Sequence, residues 1–164
     1  MSGQRSAVGA LVGSLRDSSP LVGGAAVEAL AALGVAAVGD LLGAVCTGKL
    51  DIRERDLGCA ALVRIGAPAI PALLRHLRHT SDQVRSVSYR ALRGLEWQAE
   101  SDEDRVSFLI QGGDWPGLRS VGAPATAAVI SAPERETYYL SRAAMIKLLA
   151  EYGTQRERFA CCGC

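Results

Sequence analysis

Apolar residues fall on one helical stripe in the stretch from Ile65 to Leu95, IGAPAIPALLRHLRHTSDQVRSVSYRALRGL. Ile70, Leu73, Leu74 and Leu77 keep the i, i+3, i+4, i+7 spacing of a helix with one buried side, while Arg75, His76, Arg78 and His79 fall on the polar side. Gly66 suits the left-handed residue that closes one helix, and Pro68 suits the first turn of the next, where a missing N–H costs nothing. Thr80 and Gln83 have capping-box spacing, after which Val84, Val87, Ser88, Ala91, Leu92 and Leu95 make a second apolar face. The pattern predicts two short antiparallel helices of about a dozen residues each. Such a pair encloses too little surface to stand alone and needs stacked neighbours, as repeat proteins supply.

Imperfect copies lie on both sides. Gly34, Val38, Leu41, Leu42 and Val45 repeat Gly66, Ile70, Leu73, Leu74 and Leu77 at the same offset. Ser19, Val22, Ala26, Ala29, Leu30 and Leu33 repeat Ser81, Val84, Ser88, Ala91, Leu92 and Leu95. Downstream, Val121-Gly122-Ala123-Pro124-Ala125 repeats Ile65-Gly66-Ala67-Pro68-Ala69, and Arg142, Leu148, Leu149 and Tyr152 follow the spacing of Arg85, Ala91, Leu92 and Leu95. Between these copies the chain predicts a leading helix over 4–15 with Val8, Leu11, Val12 and Leu15 inward, and a start at Ser19-Pro20. Asp51 and Glu54 have capping-box spacing for a helix reaching Ile65. The acidic connection EWQAESDEDR precedes short helices over 103–110 and from Asp114 to Val121. Pro133 truncates the helix expected after Gly122, and a long last helix follows over 134–152. Glycines at 9, 13, 23, 24, 39, 43 and 58 fall inside predicted helices, each costing up to roughly 1 kcal/mol against alanine, so the N-terminal third is expected to be softest.

The segment AALVRIGAPAIPALLRHLRHTSDQVRSVSYRAL resembles the HEAT-like repeat first associated with phycobilisome lyase subunits, whose consensus runs A-x-x-A-L-x-x-I-G-x-P-A-I-P-x-L-x-x-L-x-D-x-x-x-x-V-R-x-x-A. The stretch GDWPGLRSVGAPA is similar to a variant of that repeat in which a Trp anchors a shortened helix. The resemblance covers most of residues 20–152. It implies an all-α, right-handed α-solenoid of about five helical hairpins over 1–152, followed by a Cys-rich tail over 153–164. Proteins with such repeats include lyases, chaperones, hydroxylases, DNA glycosylases and adaptors, so function rests on sites rather than fold.

Composition narrows the classes. With 49% hydrophobic but only 5% aromatic residues in 164, the chain fits one domain of Ala/Leu/Val helix packing. Its net charge of +1 gives no global attraction to nucleic acid or anionic membrane, so such binding would have to be local. The first residues lack the run and cleavage site of a signal peptide, and the segment from Ser18 to Gly39 is broken by Gly34 and carries Glu28. A cytoplasmic protein with no membrane contact is the expectation.

Six arginines, Arg64, Arg75, Arg78, Arg85, Arg90 and Arg93, face only Asp82 within their span. Arg75, Arg78 and His79 share a helical face, and with His76, Arg90 and Arg93 they form the candidate surface for an acidic partner. The opposing reading is that these arginines solvate exposed faces, with Arg85 bonding nearby loop carbonyls; Glu96, Glu100, Asp102, Glu103 and Asp104 also offset the patch. His76 and His79 have helical spacing for one metal but no third ligand, and neither is followed by Glu as in the family's di-iron hydroxylases. Trp97, Asp114 and Trp115 imitate the glycosylase set, although Trp residues so placed serve as packing anchors. Cys161, Cys162 and Cys164 place three thiols within four residues, a set suited to a soft metal, to thiol exchange or to lipid attachment, while Cys46 and Cys59 read as buried small hydrophobes.

No catalytic constellation or cofactor site emerges. The reading is a non-enzymatic scaffold that binds a partner protein or peptide, with its groove lined by the helices beginning near Ala36 and Ala67. The alternative is a lyase-like or cofactor-chaperone protein that handles a thiol-reactive ligand through Cys161, Cys162 and Cys164.

Overall fold

The computed structural model describes residues 2–47 and 50–122, with side chains from residue 6 onward. The expected helix over 134–152, the downstream copy beyond Gly122 and the thiols Cys161, Cys162 and Cys164 lie outside the described residues. Every regular element among the described residues is helical: α1 (Ser2–Ser14), α2 (Pro20–Leu33), α3 (Val35–Cys46), α4 (Ile52–Ile65), a 3-10 turn (Ala67–Ala69), α5 (Ile70–His76), α6 (Asp82–Gly94), α7 (Asp102–Gly112) and α8 (Trp115–Val121). No single one of these helices is long and apolar enough to cross a membrane. Two compact units divide the chain, Met1–Trp97 and Gln98–Cys164, and the division falls inside the acidic connection.

In the first unit the helices pair and stack in two layers. Helix α2 packs on α4 and α4 on α6, while α1 packs on α3 and α3 on the 3-10 turn ahead of α5. Helices α2, α4 and α6 run parallel, because contacts between them advance together. Gly23 faces Leu57 near the start of α2 and α4, and Glu28 pairs with Arg64 toward their ends. Between α4 and α6, Asp56 pairs with Arg90 at 2.6 Å and Val63 lies against Gly94. A small residue recurs four positions before a leucine in all three helices: Ala26 and Leu30, Gly58 and Leu62, Ser88 and Leu92. All six are buried, and the Ser88 hydroxyl is satisfied by donating to the Val84 carbonyl at 2.9 Å. Exposed ion pairs are worth about 0–1 kcal/mol each and a buried leucine about 2–5, so burial holds the layer and the ion pairs fix its register.

Gly34 and Gly66 make the abrupt restarts. Each donates its N–H back into the finished helix, to Ala31 and Leu62 respectively, and its carbonyl accepts from Ala37 or Ala69 at 3.0 Å to begin the next. Their φ values are positive, 61° and 81°, but ψ is −137° and −150°, so Gly66 is not the left-handed helical residue expected. Gly122 repeats this conformation with φ 79° and ψ −134°. Such backbone is nearly closed to residues with a Cβ. Gly66→Ala is therefore expected to destabilise the protein by about 1–3 kcal/mol, although space for the methyl is open; a denaturant midpoint equal to that of the parent would contradict this.

Other expectations need correction. Helix α5 is shorter than expected, because Pro68 sits in the 3-10 turn and regular helix ends at His76. Ile70 and Leu74 are half-buried while Leu73 and Leu77 are fully so. Thr80 is not the cap of α6. Ser81 takes that position without a side-chain cap, and Arg85 reaches back to the His79 and Thr80 carbonyls at 2.9 and 3.0 Å. The capping box of Asp51 and Glu54 is present in full, and its largely buried Glu54 carboxylate also faces Arg16 at 3.7 Å. After α6 the restart is missing for a visible reason. Glu96 takes φ 51° where the other copies have glycine, and the Glu96 and Trp97 N–H groups bond back to Arg93 and Leu92. That paired closure sends the chain away from the helix instead of into a new one.

In the second unit α7 is capped by Ser101, whose hydroxyl accepts from the Asp104 N–H, and α8 by Asp114, which accepts from Gly117 at 2.9 Å. Val106 and Leu118 form its buried centre with Trp115 packed against them, so Trp115 acts as a packing anchor.

Candidate functional site

The six candidate residues divide between the two layers. His76 and His79, at the end of α5 and just beyond it, stack with ring centroids 6.0 Å apart and planes 11° from parallel. The His79 Nε2 lies 3.8 Å from the Cys46 Sγ on α3. Arg90, by contrast, belongs to α6 and bonds Asp56 of α4, with Arg93 one turn further along. Arg75 and Arg78 sit on exposed positions beside the histidines, but helix α5 has ended before Arg78, so the expected continuous stripe is broken.

Hydrogen bonds decide what the histidines offer. The Ser81 N–H donates to the His79 Nδ1 at 3.0 Å, which assigns the lone pair to Nδ1 and the hydrogen to Nε2. The His76 Nδ1 lies 2.7 Å from the Ala72 carbonyl oxygen, which only accepts, so there Nδ1 carries the hydrogen. The two rings thus present opposite tautomers. His79 turns an N–H, not a lone pair, toward Cys46, so it neither coordinates a metal on that side nor takes the thiol proton. Among the described residues no group of three His, Cys, Asp or Glu is placed to hold a metal ion.

Cys46 is exposed at the last residue of α3, contrary to the expectation of burial, whereas Cys59 is buried. Desolvation pushes both thiols up, and at Cys59 it outweighs the lowering effect of Arg90. Alkylation with iodoacetamide at mildly alkaline pH, followed by peptide mapping, is expected to label Cys46 at least about tenfold faster than Cys59, because the thiolate must be reached as well as formed. Equal rates would contradict the burial of Cys59.

Among the described residues, three of the six arginines of the arginine-rich stretch are answered by carboxylates within the fold. Arg64 pairs with Glu28, Arg85 with Asp82 at 3.1 Å and Arg90 with Asp56. The Asp56 hydrogen bond pushes the Arg90 guanidinium further above its already high ordinary value. Arg85 spanning loop carbonyls matches the structural reading of that residue.

A recess of about 160 Å³ lies between α4 and α6, lined by Arg55, Asp82, Gln83, Ser86, Val87 and Arg90. It is in the layer opposite to the helices beginning near Ala36 and Ala67, where sequence places the groove. Sequence reasoning misses Arg55, since the arginine cluster is counted from Arg64 onward. Its signal is there to be read: Arg55 stands at the same place in its helix as Arg85 does in α6, each four residues after the N-cap, Asp51 and Ser81. Unlike Arg85, Arg55 has no side-chain partner among the described residues. Comparison with family models, with curated proteins and with solved structures finds no match to this chain.

Proposed function

We propose that this chain is a non-enzymatic helical-repeat module, a right-handed α-solenoid of HEAT-like hairpins that binds a partner protein or peptide on its surface in the cytoplasm. The observation that carries the reading is the regular stacking of α2, α4 and α6. Three copies bury the same small-residue and leucine positions against one another and leave the other side of each helix open to solvent as one outer face. A rigid face of this kind is what repeat modules present to partners. Affinity capture of the tagged chain from its own cells, followed by size-exclusion chromatography with the purified candidate, tests it. The expected result is a stoichiometric complex; failure to reconstitute any complex contradicts the reading. The Arg75→Ala/Arg78→Ala/His79→Ala variant then reports whether the α5 side takes part.

A second reading rests on the three clustered thiols at Cys161, Cys162 and Cys164, which favour handling of a thiol-reactive ligand. Intact mass of the natively purified protein checks it: an unmodified, metal-free chain counts against it.

A further inference from the structure

The geometry points to the recess between α4 and α6 as the seat of a carboxylate side chain on an acidic partner segment. This rests on the reading that the chain binds a partner protein, and it names the surface and the chemistry. Size is the first argument. Sites for cofactors and drug-sized ligands occupy about 300–1,000 Å³, whereas this recess holds about 160 Å³, room for one side chain.

Charge is the second. Of the cations at or beside the recess, Arg90 already faces Asp56 and Arg85 already faces Asp82. Asp82, the one carboxylate lining the recess, is thereby engaged. Arg55 remains, half-buried on the recess wall, with no side-chain partner among the described residues, and Arg93, one turn beyond Arg90, likewise has none among them. A guanidinium presents a planar fork of donors that matches a carboxylate bidentately. Helix α4 holds the Arg55 backbone in place, so less freedom is lost on binding than from a loop. The Gln83 amide and Ser86 hydroxyl line the recess from α6, across from Arg55 on α4, with the buried Val87 among them.

Nucleic acid fits worse. Phosphate tracking needs a row of uncompensated cations, and here Arg64, Arg85 and Arg90 are each compensated by a carboxylate.

The test uses the full chain and a fluorescein-labelled oligoglutamate peptide, read by fluorescence anisotropy at low and at physiological salt, with a single-stranded oligothymidine as the second probe. Wild type is expected to bind oligoglutamate. Arg55→Glu should weaken that binding at least about tenfold and Arg55→Gln about fivefold, with Arg55→Lys between Gln and wild type because it keeps the charge and loses the fork. Arg105→Ala, at an exposed position of α7, should leave it unchanged. Thermal melts of the three Arg55 variants within a few degrees of the parent exclude a folding defect. The inference is overturned by absence of oligoglutamate binding in wild type, by equal affinity of wild type and Arg55→Glu, or by preference for oligothymidine. A stoichiometric partner whose binding ignores Arg55→Glu would sink the recess and leave the partner-binding reading standing. Arg55-dependent oligoglutamate binding without any reconstituted partner complex would support the recess while contradicting that reading.

Discussion

Leu62→Ala is expected to cost about 3 kcal/mol of stability and to lower the melting temperature by roughly 6–12 °C. Leu62 is 1% exposed in the middle helix of the layer formed by α2, α4 and α6, so its truncation leaves a cavity with a helix on either side. The neighbours have little freedom to fill it, because the Glu28–Arg64 and Asp56–Arg90 pairs hold the register on both flanks. Leu21→Ala is the control. Leu21 is 85% exposed at the start of α2, and its truncation should change stability by less than about 0.5 kcal/mol. Chemical denaturation of the two variants side by side separates stacked-layer burial from generic loss of hydrophobic surface. A Leu62→Ala loss below about 1 kcal/mol would mean that the layer is not packed as described.

The second large effect has the opposite sign. Gly24, Gly39 and Gly43 lie inside α2 and α3, are exposed, and have nothing within 4 Å of the position an added Cβ would take. Glycine inside a helix costs about 0.5–1 kcal/mol against alanine because the unfolded chain loses more freedom on folding. The triple Gly24→Ala/Gly39→Ala/Gly43→Ala variant is therefore expected to gain about 1.5–3 kcal/mol and to melt roughly 3–12 °C higher. Gly94→Ala provides the contrast, since its Cβ would lie 2.8 Å from the Val63 Cγ2, closer than packed atoms come. It should destabilise rather than stabilise. Loss of stability in the triple variant would show that these glycines serve a close approach that the structure does not contain.

Much of the helical layout is readable from spacing alone. Gly34 and Gly66 mark restarts in the sequence because only glycine takes the required backbone, and the Asp51/Glu54 box is local chemistry between neighbours in the chain. Other features depend on distant residues and leave no local mark. Gly23 and Gly24 look alike in sequence, yet a methyl on Gly23 would meet Leu57 at 3.1 Å while Gly24 faces open space. The spacing of Thr80 and Gln83 suggests a cap, but Arg85 occupies the loop and Ser81 takes the N-cap position. The arginine cluster reads as one patch because sequence shows only the charges between Arg64 and Arg93; its compensating acids, Glu28 and Asp56, lie one copy upstream. For the same reason Arg55 does not stand out in the sequence, since its lack of a side-chain partner among the described residues is a property of the folded layer.

The central claim is the parallel stacking of α2, α4 and α6, and isotope-edited NOE spectroscopy reads it directly. Contacts from the Leu57 δ-methyls to the Gly23 α-protons and from the Val63 γ-methyls to the Gly94 α-protons are expected, each linking residues in successive copies at the same height of the stack. Absence of both, in spectra where intrahelical contacts of α4 are resolved, would contradict the stack.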